Sequence, residues 1–122
     1  MPMADQRFDR SLRLRQKADF DRVYAARLHA ADGLLVINAA ANDLGRSRLG
    51  LAVGRPVGNA VVRNRWKRLI REAFRRERAT LPVGFDFVVR PRPGVKPLLP
   101  DIVASLRALA ARIARRRVEA RP

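Results

Sequence analysis

Cysteine is absent from the sequence, which excludes a disulfide framework and any metal site built on thiolates. No apolar run approaches the roughly 20 residues that a membrane-spanning helix needs. The first seven residues lack the apolar core of a signal peptide. These absences predict a cytoplasmic protein that does not bind membranes.

Histidines and clustered carboxylates, on which nucleases rely for acid–base chemistry and for metal binding, are also scarce. The only histidine is His29, which we predict to lie in a loop, and the 11 acidic residues are scattered. Asp19 and Asp21 are two positions apart and cannot face together on a helix. The sequence therefore predicts no catalytic residue and no protein-bound metal ion, which argues against an autonomous nuclease.

Basic residues, by contrast, are abundant: 27 lysines and arginines give a formal net charge of +16. Such an excess repels itself in a folded chain, and a polyanion would relieve the repulsion. Only Lys17, Lys67 and Lys96 are lysines, and arginine is better suited than lysine to binding phosphate and stacking on bases. A GC-rich genome would produce the same arginine bias, but the net charge itself still indicates a polyanionic partner.

The length of 122 residues suits a single domain, with residues 1–12 and 116–122 as expected flexible tails. Apolar periodicity and turn residues predict helices at 17–26, 59–79 and 101–116, and strands at 34–40, 48–54 and 85–89. We expect Asn59 and Asp101 to be N-caps, and the first two strands to form an antiparallel hairpin. This order predicts an α+β fold with helices on a small sheet.

The apolar stripes of the outer helices are short. Phe20, Val23 and Tyr24 fall at i, i+3 and i+4 of the first helix and make one face. The last helix has a stripe of five residues: Ile102, Val103, Leu106, Leu109 and Ile113.

The central helix has two opposed faces, since each residue of an α-helix advances about 100°. The apolar face consists of Val62, Trp66, Leu69, Ile70 and Ala73. The basic face consists of Lys67, Arg68, Arg71, Arg75 and Arg78. A charged face can be merely solvated, but solvated faces usually mix charges of both signs at i,i+4. The basic face therefore favours a bound phosphate backbone, and no apolar face is left for lipid.

The first turns of this helix add to its attraction for anions. Arg63 and Arg65 lie where unpaired backbone amides and the helix dipole also favour negative charge. Gly58 would allow a backbone to approach closely. Asn64 either caps the helix locally or contacts a nucleotide, and its position does not decide between the two.

Residues 58–74, which read GNAVVRNRWKRLIREAF, resemble the signature of the bacterial ribonuclease P protein subunit. The Arg63-Asn64-Arg65 triplet followed by Lys67, Arg68 and Arg71 is similar to that family's RNR motif. Further similarity lies in RQKADFDRVY at 15–24, RLGLAV at 48–53 and FDFVV at 85–89, so that roughly residues 12–115 are covered.

The resemblance implies a small αβββαβα sandwich with a left-handed crossover, which requires a fourth strand, near 28–30. It also implies that a catalytic RNA with bound Mg²⁺ removes the 5′ leader of precursor tRNA, while the protein assists. The Mg²⁺ would be held by the RNA subunit and the substrate, and no DNA partner is expected. By position, the catalytic RNA would be contacted by Arg63, Asn64, Arg65, Lys67, Arg68 and Arg71. The leader cleft would be lined by Phe20, Tyr24 and Asn38.

Three departures from the family pattern affect these assignments. Arg55-Pro56 stands where two adjacent basic residues are common, Asn38 where an aromatic is frequent, and Trp66 where an aliphatic is usual. Trp66 either fills the core or lies at the RNA interface.

Two alternatives remain open from the residues alone. Phe20 and Tyr24 can be core residues instead of a stacking surface, and a ribosomal-type RNA-binding protein would have the same composition. A helix-turn-helix DNA binder fits the strands poorly.

Overall fold

The computed structural model describes residues 10–119 and has the predicted αβββαβα order. Short 3₁₀ turns lie at Arg10–Leu12 and Arg55–Val57. The helices are α1 (Lys17–Ala25), α2 (Ala60–Glu77) and α3 (Leu99–Glu119), and the strands are β1 (Leu28–Ala31), β2 (Leu35–Ala41), β3 (Arg48–Leu51) and β4 (Phe85–Pro91).

The four strands form one sheet in the order β1-β2-β4-β3. β2 is antiparallel to β1 and to β4, whereas β3 is parallel to β4, so α2 makes a crossover connection. The predicted hairpin of the strands at 34–40 and 48–54 is therefore wrong. Residues 85–89 of β4 are all buried, and a strand that is buried on both faces belongs inside a sheet. It separates β2 from the shorter β3, which takes the edge.

The β1–β2 hairpin supplies the fourth strand, which only the family resemblance suggested. Its turn is Asp32-Gly33, as predicted, and one Asp32 carboxylate oxygen accepts hydrogen bonds from the amides of Leu34 and Leu35 at 2.8 Å. His29 lies in β1 opposite Asn38, so its predicted position in a loop is wrong.

Helices cover both faces of the sheet. One face packs against α2 and α3 and forms the main core, in which Leu35, Ile37 and Phe87 are fully buried beneath Ile70 and Leu106. The other face packs against α1, whose only fully buried residue is Val23. Just before α1, the Leu14 amide donates a hydrogen bond to the carbonyl of Leu49 in β3, and just after α1 the chain enters β1. α1 therefore crosses the sheet from the β3 edge to the β1 edge.

The ordered elements extend into both segments that were predicted as tails. Leu12 is buried, and α3 continues to Glu119 instead of ending at 116. α3 also begins earlier, because Pro100 is tolerated in a first turn, so that Asp101 lies inside that turn and is not the N-cap. Residues 1–9 and 120–122 of the predicted tails lie outside the described residues. No helix within 10–119 is long and apolar enough to cross a membrane.

Candidate RNA interface

The start of α2 is built as predicted. The Asn59 side chain accepts a hydrogen bond from the Val62 amide at 3.0 Å, so Asn59 is the N-cap and Asn64 is an exposed residue of the helix. A Cβ at Gly58, where φ is +153°, would lie 2.9 Å from the Val62 side chain. Glycine is therefore required here by packing within the protein.

The buried side of α2 contains Trp66, Ile70 and Ala73 as predicted, while Val62 and Leu69 are half-buried. Trp66 has no exposed surface, so it belongs to the core and not to an RNA interface. Phe74 is also fully buried and was missed, although it follows Ile70 by one helical turn.

The charges of α2 divide the helix in two. In the C-terminal half, Glu72 accepts hydrogen bonds from Arg75 and Arg76, at 2.6 Å and 2.8 Å, and these lower the pKa of Glu72 to about 2. Glu77 pairs with Arg107 of α3 at 2.7 Å. The positive charge of this half is therefore partly neutralised, including that of Arg75, which was predicted to be on the RNA-facing side.

The N-terminal half carries the residues that we call the basic half of α2: Arg63, Asn64, Arg65, Lys67, Arg68 and Arg71. Among the residues described, no acidic side chain forms an ion pair with any of its five cations. All six predicted RNA-contacting residues therefore lie on one helix, and the five cations among them have no ion-pair partner within residues 10–119.

The cationic surface extends beyond α2. A pocket of about 320 Å³ lies at the β3 edge, where Arg13, Lys67 and Arg71 surround the apolar side chains of Phe20 and Leu49. Burial and, to a smaller extent, the positive charge of Arg13 lower the pKa of Arg71. Because the positive charges of Arg13 and Arg71 act on each other, an anion bound between them would be favoured.

Arg13 was not predicted as a site residue. It reaches the pocket because the neighbouring Leu14 amide donates a 2.8 Å hydrogen bond to the carbonyl of Leu49, which extends the β3 edge by a single bridge. The alternation of charged and apolar residues in Arg13-Leu14-Arg15 is the only sequence signal for this placement.

Two of the three predicted leader residues, Phe20 and Tyr24, lie on α1, and the third, Asn38, lies in β2. Phe20 packs on Gly50, where an added Cβ would come within 2.9 Å of the ring, so it is half core and half surface. Tyr24, one turn later, is 40% exposed. Asn38 is on the same sheet face as Gly50, separated from it by Val88, hence about 10 Å away. We call Phe20 and Tyr24 with the sheet face around Asn38 the leader groove, after the leader binding that the resemblance predicts there.

A buried carboxylate fixes α1 on the sheet. Asp86 of β4 has no exposed surface and accepts hydrogen bonds from Arg48 at 2.8 Å and 2.7 Å, from Asn42 at 2.8 Å and from Arg22 of α1. Burial alone would raise the pKa of Asp86, but the hydrogen bonds from Arg48 and Asn42 outweigh it, and the pKa lies below the ordinary value of 3.8. Sequence reasoning missed Asp86, because its partners come from α1, β3 and the loop after β2.

Acidic and histidine side chains do not gather into a metal site in the described part of the chain: no three of them are placed so that they could hold an ion.

Comparison with known proteins gives one consistent family description. A family model described as Ribonuclease P matches residues 8–114. The ribonuclease P protein component of Brevibacillus brevis is 44% identical over 89 residues, which cover 71% of this chain and 70% of that protein. The component from Thermotoga maritima is 41% identical over 85 residues, covering 70% and 73%. These matches give no support to a ribosomal protein.

Solved structures show the same fold. The RNase P protein from Thermotoga maritima superposes with a TM-score of 0.76 and 33% identity, covering 82% of this chain and 96% of that one. The Staphylococcus aureus RNase P protein gives 0.72 and 32%, covering 84% and 94%. The family match spans most of the sequence, and both relatives and structures carry the same description. The chain therefore belongs to the ribonuclease P protein family, the accessory protein subunits of this endoribonuclease.

Proposed function

We propose that this subunit binds the catalytic RNA of ribonuclease P through the basic half of α2, and the 5′ leader of precursor tRNA through the leader groove. The observation that carries the proposal is the separation of charges on α2. Acidic partners neutralise its C-terminal half, whereas its N-terminal half is left with uncompensated cations beside a cationic pocket.

The basic half suits an RNA backbone for two physical reasons. Like charges at i,i+4, such as Lys67 with Arg71, destabilise a helix by a few tenths of a kcal/mol, and bound phosphates would remove this cost. Burial of Trp66 and Ile70 holds the helix on the sheet, so that the cations are presented from a rigid element. A rigid site loses less entropy when the RNA binds.

The leader groove suits single-stranded RNA of varied sequence. The half-exposed Phe20 ring and the more exposed Tyr24 ring lie one turn apart, and stacking on aromatic rings accepts every base. Asn38 offers an amide that can donate to or accept from a base. Leaders differ between tRNAs, and neither the rings nor an amide that can both donate and accept restricts the groove to one base.

The chemical step belongs to the RNA subunit in this proposal. We propose that Mg²⁺ is held by the RNA and the substrate, and that the protein contributes binding alone. We also propose that the enzyme works in the cytoplasm, in keeping with a chain that has no cysteine.

Arg68→Ala is expected to weaken assembly with the catalytic RNA about tenfold, because a charge-assisted hydrogen bond to phosphate contributes about 1.5 kcal/mol or more. Each lost phosphate contact should also reduce the salt dependence of binding, by about one unit in the slope of log K against log salt. Arg65→Ala should behave likewise. The measurement is a binding titration at several salt concentrations.

Arg76→Ala is the matched control, since Arg76 lies on the same helix but is paired with Glu72. It should change affinity and slope much less than Arg68→Ala does. Equal effects of the two substitutions would refute the assignment of the basic half.

Tyr24→Ala should leave assembly unchanged and weaken binding of precursor tRNA by about 1–3 kcal/mol, the value of one stacked base, without affecting mature tRNA. Tyr24→Phe keeps the ring and should restore the affinity. Dissociation constants of both tRNAs with the reconstituted holoenzyme test this. If Tyr24→Ala weakened both tRNAs equally, the leader would lie elsewhere.

A further inference from the structure

A second cationic groove lies at the opposite edge of the sheet from the basic half of α2. Its volume is about 530 Å³, within the range of about 300–1,000 Å³ typical of ligand pockets. Three guanidinium groups surround a floor of small apolar residues. The seven lining residues are Arg22, Arg27 and Arg117 with Ala26, Leu28, Ala40 and Ala41. No acidic residue of the described chain lines it, and we call it the β1-edge groove.

The backbone at Arg27 points to a use for its side chain. Arg27 follows the C-cap of α1 with φ of +54°, a left-handed conformation that glycine adopts without strain. For a residue with a Cβ this conformation costs about 1 kcal/mol or more. Its amide donates to the Tyr24 carbonyl at 3.2 Å, a bond that glycine would make equally well. The backbone therefore does not require arginine at this position, and the exposed Arg27 side chain lines the groove.

The opposite wall of the groove is also fixed in place. Arg116 donates to the carbonyl of His29, and Arg112 donates to that of Ala31 at 3.3 Å. These bonds tie the last turns of α3 to the outer edge of β1. Arg117 is therefore presented from a helix anchored at two points, and not from a loose tail.

The two cationic surfaces lie at the two ends of α1. The pocket with Arg13, Lys67 and Arg71 is at the β3 edge beside Phe20, and α1 then crosses the sheet to Arg27 at the β1 edge. Three strand spacings, about 14 Å, separate the two edges. RNA that enters from the side of the catalytic subunit and follows Phe20 and Tyr24 arrives at Arg27 next.

We infer that the β1-edge groove binds the distal part of the leader, meaning the nucleotides farther from the tRNA than those stacked on Phe20 and Tyr24. This inference rests on the proposed function of the leader groove. Arg27 and Arg117 bind phosphates on the two walls, while the floor of alanines and Leu28 lets a ribose or base approach closely. Arg22 contributes less, because its charge is already paired with Asp86.

The experiment measures dissociation constants of the holoenzyme for precursor tRNAs whose leaders are lengthened one nucleotide at a time. Wild type should gain affinity first as the leader reaches Tyr24, and a second time as it reaches the β1-edge groove. Arg27→Gly and Arg117→Gln should each reduce the second gain, and together abolish it. We expect a loss of about tenfold for long leaders in the double variant, with short leaders and mature tRNA unaffected.

Arg27→Gly separates binding from folding, because it relieves the strained backbone while it removes the cation. Its thermal midpoint should equal or exceed that of wild type, although its affinity for long leaders falls. Arg46→Gln is the matched control: Arg46 is exposed in the turn before β3 and lies outside the lining of the groove. It removes one charge and should keep the second gain.

The outcomes distinguish this inference from the function on which it rests. Equal weakening of short and long leaders by Arg27→Gly and Arg117→Gln would overturn the distal site. So would a second gain that survives in the double variant. If wild type bound precursor and mature tRNA equally at every leader length, the leader groove itself would be wrong.

Discussion

Phe74→Ala is expected to lower the free energy of unfolding by about 3–5 kcal/mol, the cost of deleting a fully buried aromatic ring and leaving a cavity. Phe74 has no exposed surface and lies in the main core between α2 and the sheet. Domains of this size are stable by only about 5–15 kcal/mol, so much of the population should unfold under mild denaturation.

Urea unfolding followed by circular dichroism measures this loss. Leu69→Ala serves as the comparison, since Leu69 is only half-buried and its truncation should cost clearly less. Equal losses for the two variants would contradict the packing of α2. Because Phe74 lies on the buried side, added catalytic RNA should partly restore the folded population by mass action.

Asp86→Ala is expected to cost about 2–4 kcal/mol. Removing one partner of a fully buried ion pair typically costs about 3–5 kcal/mol, but Arg22 keeps 40% of its side-chain surface in water and can be resolvated. The loss should be accompanied by a weaker preference for precursor tRNA, since Asp86 holds the helix that carries Phe20 and Tyr24.

The dependence on pH distinguishes the charge of Asp86 from its shape. Its pKa in the fold lies below 3.8, so the stabilisation is fully present at neutral pH and is lost as the pH falls through the folded pKa. In Asp86→Asn the free energy of unfolding should no longer include the decrease at low pH that protonation of Asp86 causes. A variant with an unchanged acid unfolding curve would show that Asp86 contributes through packing alone.

The parts of the fold that could be predicted are those decided by nearby residues. The N-cap of α2 depends only on Asn59 and on Val62, three positions later. The buried and exposed faces of α2 follow from the 3.6-residue helical period. The position of Ile70 was therefore correct, and of the two positions left open for Trp66 the structure has the one in the core. Phe74 was missed only because the stripe was ended one residue early.

Strand order could not be predicted in the same way. Local turn signals made the strands at 34–40 and 48–54 neighbours, but the pairing is decided by the burial of β4, which follows later in the chain. The same holds for the pocket at Arg13 and for the partners of Asp86. The strand pairing, the pocket and the Asp86 ion pairs all depend on contacts between residues that are distant in sequence, and the spacing of those residues does not predict the contacts.

The leader groove was proposed from the resemblance and not from periodicity. Phe20, Val23 and Tyr24 form a single apolar stripe in sequence, yet only Val23 is fully buried. The structure shows why: Gly50 lets Phe20 settle partway into the sheet, while Tyr24 projects beyond the packed region. The composition of the stripe alone does not distinguish a core face from a half-open one.

The complete burial of Trp66 has a practical consequence for experiments on this protein. It is the only tryptophan in the sequence, and its indole lies on the side of α2 away from the basic half. Its fluorescence therefore reports whether the core has formed and should change little when a folded chain binds RNA. A large emission change on adding the catalytic RNA would then reveal that the free chain had been unfolded, so one optical signal separates coupled folding from docking.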